Sequence, residues 1–152
     1  MSPPVVTFDT QSCVLPMPIE KVFAMTKDLS ILSVTKKVAS MPWFKSGEEG
    51  QIGAIVVVSF DNGDSAYGES VWELRITEIS ERAHTVAYEV VKTDEPVPAS
   101  IEGLIKLRPV SMSGHTFLEY TTSFSNDVSA ERIEDQKWKK LELFKSLIEA
   151  VA

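Results

Sequence analysis

From Ala130 to Val151 the chain runs 22 residues without glycine or proline. A helix of that length is about 33 Å long, enough to cross a whole sheet. Asn126-Asp127-Val128-Ser129 places capping side chains in front of it, and Glu131 lies near the positive end of its dipole. Ile133, Trp138, Leu141, Phe144, Leu147, Ile148 and Val151 predict a broad apolar stripe, with Lys139, Lys140, Glu142, Lys145 and Glu149 on the remaining surface. A helix with one apolar face must bury it against a partner, and the preceding sequence offers mostly strands.

Val5–Leu15 reads as a first strand, stopped by Pro16 and Pro18. Pro18 suits the first turn of a short helix that puts Ile19, Val22 and Phe23 on one face. Asp28-Leu29-Ser30 interrupts that helix, and Ile31 and Leu32 begin a second short turn. From Val34 the period changes to two. Strands are expected over Val34–Met41, Gln51–Phe60, Ala66–Ile79, Thr85–Val91, Ile101–Leu107 and Thr116–Phe124. Asn62-Gly63, within Asp61-Asn62-Gly63-Asp64, is a hairpin signal. Trp72, Leu74 and Ile76 alternate with Glu73, Arg75 and Thr77, and Val86, Tyr88 and Val90 alternate with Thr85, Ala87 and Glu89. Strands that bury one face and wet the other make an antiparallel sheet. With no repeat and no Gly/Ser-rich linker, residues 1–152 read as a single α+β domain.

Charge and cysteine content remove several classes of function. With 15 Lys+Arg against 22 Asp+Glu, the net charge of −7 argues against binding nucleic acid, which demands cations for its phosphates. The single cysteine, Cys13, cannot form an internal disulfide and fits a reducing compartment. No apolar run approaches the roughly 20 residues needed to span a bilayer. Met1–Thr10 lacks the basic start and apolar middle of a signal peptide, so a cytoplasmic protein without integral membrane association is expected.

The order β-α-α-β-β-β-β-β-β-α resembles the helix-grip fold of the START-like superfamily (SRPBCC), which includes birch-pollen-allergen-type and polyketide cyclase/dehydrase-type proteins. Leu15-Pro16-Met17-Pro18-Ile19-Glu20-Lys21-Val22-Phe23 is similar to that superfamily's opening, and Asp28-Leu29-Ser30 to its helix break. Gly50-Gln51-Ile52-Gly53 resembles its Gly-x-x-Gly entry to the third strand. Gly114-His115-Thr116-Phe117-Leu118-Glu119-Tyr120 resembles its penultimate element, with Tyr120 where tryptophan is commoner. The resemblance covers almost the entire chain. It implies a curved seven-stranded sheet gripping the C-terminal helix, with two short helices after the first strand and a cavity between sheet and helix. Such cavities hold lipids, sterols, quinones, polyketides or plant hormones. The proline gate and His-Arg-Leu latch of the hormone receptors are absent.

Fold does not select a function, so the residues must. Phosphate loops, metal-binding His-Glu-x-x-His and nucleophile elbows are all missing. Cys13 lacks an evident base, while His84, His115, Asp61 and Asp64 do not compose a metal site, so no catalytic residue, metal or cofactor is assigned. By parity, Glu69, Glu73, Glu89 and Glu119 face solvent. Trp72, Tyr88 and Tyr120 share parity with the apolar faces of three strands, and Trp138, Leu141 and Phe144 lie on the helix stripe. Aromatics with polar tips converging on an apolar interior suit a small-molecule site. Lys137, beside the stripe, is the candidate to meet an anionic headgroup, and Tyr88, Tyr120 or Lys137 would orient the ligand's polar end. The expected function is binding, transport or sensing of a small hydrophobic or amphipathic ligand such as a lipid, quinone or polyketide, through Trp72, Tyr88, Tyr120, Lys137, Trp138, Leu141 and Phe144. Loops at Pro42–Gly50, Asp61–Ala66 or Thr93–Ala99 would admit it. A cyclase/dehydrase-like enzyme and a chaperone-cofactor-like interaction module are the alternatives, and oligomeric state is left open.

Overall fold

The computed structural model describes residues 7–34, 38–61, 69–93 and 100–151. Strand β1 (Phe8–Leu15) leads into helix α1 (Ile19–Lys27) and a 3-10 helix (Ser30–Val34). Strands β2 (Val38–Ser46), β3 (Ile55–Asp61), β4 (Glu69–Ser80), β5 (Thr85–Thr93), β6 (Ile101–Pro109) and β7 (Thr116–Phe124) follow, and helix α2 (Ala130–Val151) closes the order. The strands form one seven-stranded antiparallel sheet, ordered β1-β7-β6-β5-β4-β3-β2. The expected α+β architecture is therefore present, including both short helices after the first strand.

Helix α1 buries Ile19, Val22, Phe23 and Thr26, the face its apolar spacing dictates. It breaks where Leu29 turns into the left-handed region at φ 59°, a costly conformation held by a side chain that is fully buried. The Asp28 carboxylate accepts the Ser30 N–H at 2.9 Å and fixes the turn. Thr116 Oγ1 donates to the Met17 carbonyl at 2.7 Å, tying the segment before α1 to β7. Gly50 and Gly53 adopt φ 81° and 93°, which explains two glycines at the entry to β3.

Strand β2 departs from expectation. It starts at Val38, because Ser30–Val34 belongs to the 3-10 helix, and it continues through Pro42 to Ser46. An edge strand tolerates a proline, and the register shifts between Ser40 and Trp43 accommodate it. Pro42–Ser46 is thus strand rather than an entrance loop. The Asn62-Gly63 turn and residues 94–99 of the third proposed entrance lie outside the described residues.

Alternation along the central strands is as expected. Trp72, Leu74, Ile76, Val86, Tyr88, Ile105, Leu118 and Tyr120 are buried in one cluster with Phe144 and Leu147 of α2. On the opposite face, Arg75 Nε donates to Glu89 at 2.7 Å and Lys45 Nζ to Glu73 at 2.9 Å. Helix α2 begins where sequence places it, with Ser129 Oγ accepting the Arg132 N–H at 3.1 Å. It packs most closely along β1 and the 3-10 helix, while α1 leans on β5 and β6.

The rotation of α2 corrects the expected stripe. Its buried residues are Lys140, Leu143, Phe144 and Leu147, whereas Trp138 is 55% and Ile148 40% exposed. Positions 140, 143, 144 and 147 lie on one side, and Trp138 sits about 120° round the helix from Phe144. Lys140 was expected on the surface and is instead 2% exposed.

Candidate functional site

Among the described residues the inner face of the sheet is largely apolar, with a polar patch near its β1 edge. A lateral row of paired residues runs Ile76, Tyr88, Gly103, Thr122, Asp9 across β4, β5, β6, β7 and β1. Gly103 is the gap in this row. A Cβ there would stand 2.2 Å from Tyr88 Cζ, so the phenol ring lies directly over the glycine backbone. Glycine inside a strand often marks such a close approach. The missing side chain lets the Tyr88 ring reach across β6, where its hydroxyl bonds that of Tyr120 on β7.

Both phenols are buried. Burial pushes the Tyr88 hydroxyl up to about 12, although its bond to Tyr120 works the other way. Burial also raises Tyr120 well above the usual tyrosine range, helped by the neighbouring Tyr88. At neutral pH each oxygen therefore keeps its proton. Two hydroxyls sharing one hydrogen bond spend one O–H and leave the other free to donate.

The third polar group is Thr122, which is 2% exposed and shares the inward side of β7 with Tyr120. Its Oγ1 is buried with no hydrogen-bond partner among the described residues. Such an orphan costs about 1–3 kcal/mol relative to a paired group.

Beside this patch, Lys140 Nζ reaches from α2 to Asp9 Oδ2 at 2.9 Å and lies 5.1 Å from the Tyr120 ring centroid. Burial lowers the Lys140 ammonium below the ordinary lysine range, and the Asp9 hydrogen bond and charge partly restore it. Gln11 Nε2 donates to the other Asp9 oxygen at 2.9 Å. Asp9 is thus engaged on both oxygens. The sequence reading missed Asp9, Gly103, Thr122 and Lys140. Asp9 shares the inward parity of Leu15, and Lys140 falls three, four and seven residues before Leu143, Phe144 and Leu147. Those spacings were the available signals.

Among the residues anticipated from sequence, the fold brings Trp72, Tyr88, Tyr120 and Phe144 into the buried cluster, with Leu141 packed partly buried against it. Lys137 and Trp138 stay apart from them. Lys137 Nζ sits 5.6 Å from the Trp138 ring centroid, and Trp138 Nε1 donates to Glu134 at 3.0 Å in an exposed contact.

No protein-family profile matches the chain, and comparison with curated proteins gives no match. Solved structures do match. A protein from Nitrosospira multiformis aligns with TM-score 0.75 at 21% identity, covering 95% of this chain and 96% of that one. Ara h 8.0201 aligns with TM-score 0.73 at 18% identity, over 95% of this chain and 96% of its own. Major latex-like protein 151 of Panax ginseng gives 0.72 at 11% identity, over 96% and 99%. The protein has the helix-grip fold.

Burial pushes the Cys13 thiol up to about 12, which keeps it protonated and unreactive. The His84 ring meets Phe23 edge-on at 5.2 Å. No cluster of three His, Cys, Asp or Glu able to hold a metal occurs among the described residues. Nor is any helix among them long and apolar enough to cross a membrane. What the site offers is hydrogen-bond donation inside an apolar surface.

Proposed function

We propose that this protein, as one helix-grip domain in the cytoplasm, binds a small hydrophobic or amphipathic molecule between the sheet and α2. The Tyr88–Tyr120 pair holds its polar end. One observation carries this reading: a bonded phenol pair and a Thr122 hydroxyl with no partner among the described residues are buried against apolar side chains, beside the Asp9–Lys140 pair. Folding alone would be served better by apolar side chains there, because unsatisfied buried polar groups oppose stability. Trp72, Phe144 and Leu141 supply apolar contact, and of the three residues expected to orient the polar end, Tyr88 and Tyr120 do so rather than Lys137. Asp9, the buried carboxylate, is committed to Lys140 and Gln11, which favours binding over acid–base turnover.

The test uses the single buried indole. Of the three tryptophans, Trp43 and Trp138 are exposed at 53% and 55%, while Trp72 is 6% exposed. A W43F/W138F variant leaves Trp72 as the only reporter. A panel of fatty acids, quinones and aromatic ketones should include members that change its emission saturably. Native mass spectrometry should find the same class retained on the purified chain. No change at Trp72 with any member, together with a bare mass, refutes the reading.

A further inference from the structure

We infer that the polar end of the ligand is a neutral carbonyl oxygen, held by two donors: the Thr122 hydroxyl and the unspent O–H of the Tyr88–Tyr120 pair. This rests on the proposed binding between sheet and helix, and it names the ligand class.

The inference follows from counting protons and charges. Thr122 Oγ1 is buried without a partner among the described residues, so its proton is unspent. The tyrosine pair shares one bond between two hydroxyls, so one more proton has no acceptor among the described residues. The two sources are adjacent. Thr122 is paired across the strands with Gly103, and the Tyr88 ring lies over Gly103 on its way to Tyr120, which precedes Thr122 by two residues on the same face. A carbonyl oxygen has two lone pairs and no proton, so it is the acceptor two such donors satisfy.

Charge separates a carbonyl from a carboxylate. The nearby cation, Lys140, is already balanced by Asp9 at 2.9 Å, which leaves the patch neutral. A carboxylate brought to it would be a buried charge without a counter-ion, an expensive arrangement. A hydrocarbon would leave both donors unpaired. A ketone, enone or quinone avoids both faults.

Three probes of one shape distinguish these cases: acetylnaphthalene, naphthoate and ethylnaphthalene, substituted at the same ring carbon. Equilibrium dialysis against the full chain should rank the ketone first. Thr122→Val keeps the shape and removes the hydroxyl. It should weaken the ketone about fivefold to tenfold, leave ethylnaphthalene unchanged, and return the infrared carbonyl stretch of the bound ketone toward higher frequency. Because it removes an unpaired buried hydroxyl, the variant should also unfold at higher urea than the parent when no probe is present.

A ketone that binds no tighter than ethylnaphthalene, or whose affinity and stretch ignore Thr122→Val, overturns the carbonyl assignment and leaves the binding reading intact. Tightest binding by naphthoate does the same. A variant that unfolds at lower urea shows that the hydroxyl was paired, and removes the premise. Failure of all three probes to bind overturns the carbonyl assignment, and takes away the underlying site as well only if the wider panel is also silent at Trp72 and the purified chain has a bare mass.

Discussion

Replacing Lys140 with methionine keeps a long flexible stem and deletes the charge that faces Asp9. At 2.9 Å the two ions attract by about 6 kcal/mol for an effective dielectric near 20. Removing both from water costs several kcal/mol per ion, so the intact pair contributes little net stability. The single substitution is different, because Asp9 remains buried with only Gln11 to solvate it. A loss of about 3–5 kcal/mol is expected for K140M. Adding Asp9→Val removes the stranded carboxylate and supplies a side chain suited to a strand. The double variant should recover to within about 1 kcal/mol of the parent, or exceed it. Equilibrium urea unfolding at pH 7 measures all four corners of this cycle, provided the denaturant slope stays constant. If K140M costs less than about 1 kcal/mol, or if the double variant loses the sum of the singles, the two groups are not an isolated buried pair and the reasoning fails.

Two further outcomes rest on the tyrosine patch. Gly103→Ala should destabilise by about 1–3 kcal/mol, since its Cβ would overlap the Tyr88 ring at 2.2 Å. Combining it with Tyr88→Ala should abolish that added cost, whereas Tyr88→Phe, which keeps the ring, should not; thermal unfolding of the set decides. Alkaline stability should fall from about pH 9 to 12, because Cys13 and Tyr88 keep their protons in the fold up to about 12 while the unfolded chain loses them at 9.0 and 10.0. The native state then binds more protons, and Tyr88 alone contributes a slope of up to about 1.4 kcal/mol per pH unit. Lys140 acts with opposite sign, because its lowered value lets the unfolded chain hold the extra proton below 10.5. Urea midpoints measured across this range should decline less steeply in a C13A/Y88F variant.

Elements whose periodicity is long were legible from the chain alone. The β7 span Thr116–Phe124 and the α2 span Ala130–Val151 coincide with their sequence readings, because alternation and the absence of breakers leave little freedom. Strand β2 was not, since Pro42 imitates a strand end that an edge position makes unnecessary. The site was half legible. Parity alone places Trp72, Tyr88 and Tyr120 inward. Parity cannot reveal that Gly103 is vacant so that a ring can cross it, nor that Lys140 is drawn inside by a carboxylate 131 residues away in sequence. On α2, hydrophobicity put Trp138 inward, but a helix has one rotation, and Leu143, Phe144 and Leu147 determine it.

The bare backbone at position 103 also constrains how this protein can change over generations. While tyrosine occupies position 88, any side chain at 103 meets its ring, so substitutions there are expected to be disfavoured. Tyr88 must first give way to something small, and that step forfeits the bond to Tyr120 before anything is gained. The two positions are therefore expected to drift together and in a fixed order. Lineages that retain the phenol pair should retain the glycine, even where the rest of the sheet has diverged beyond recognition.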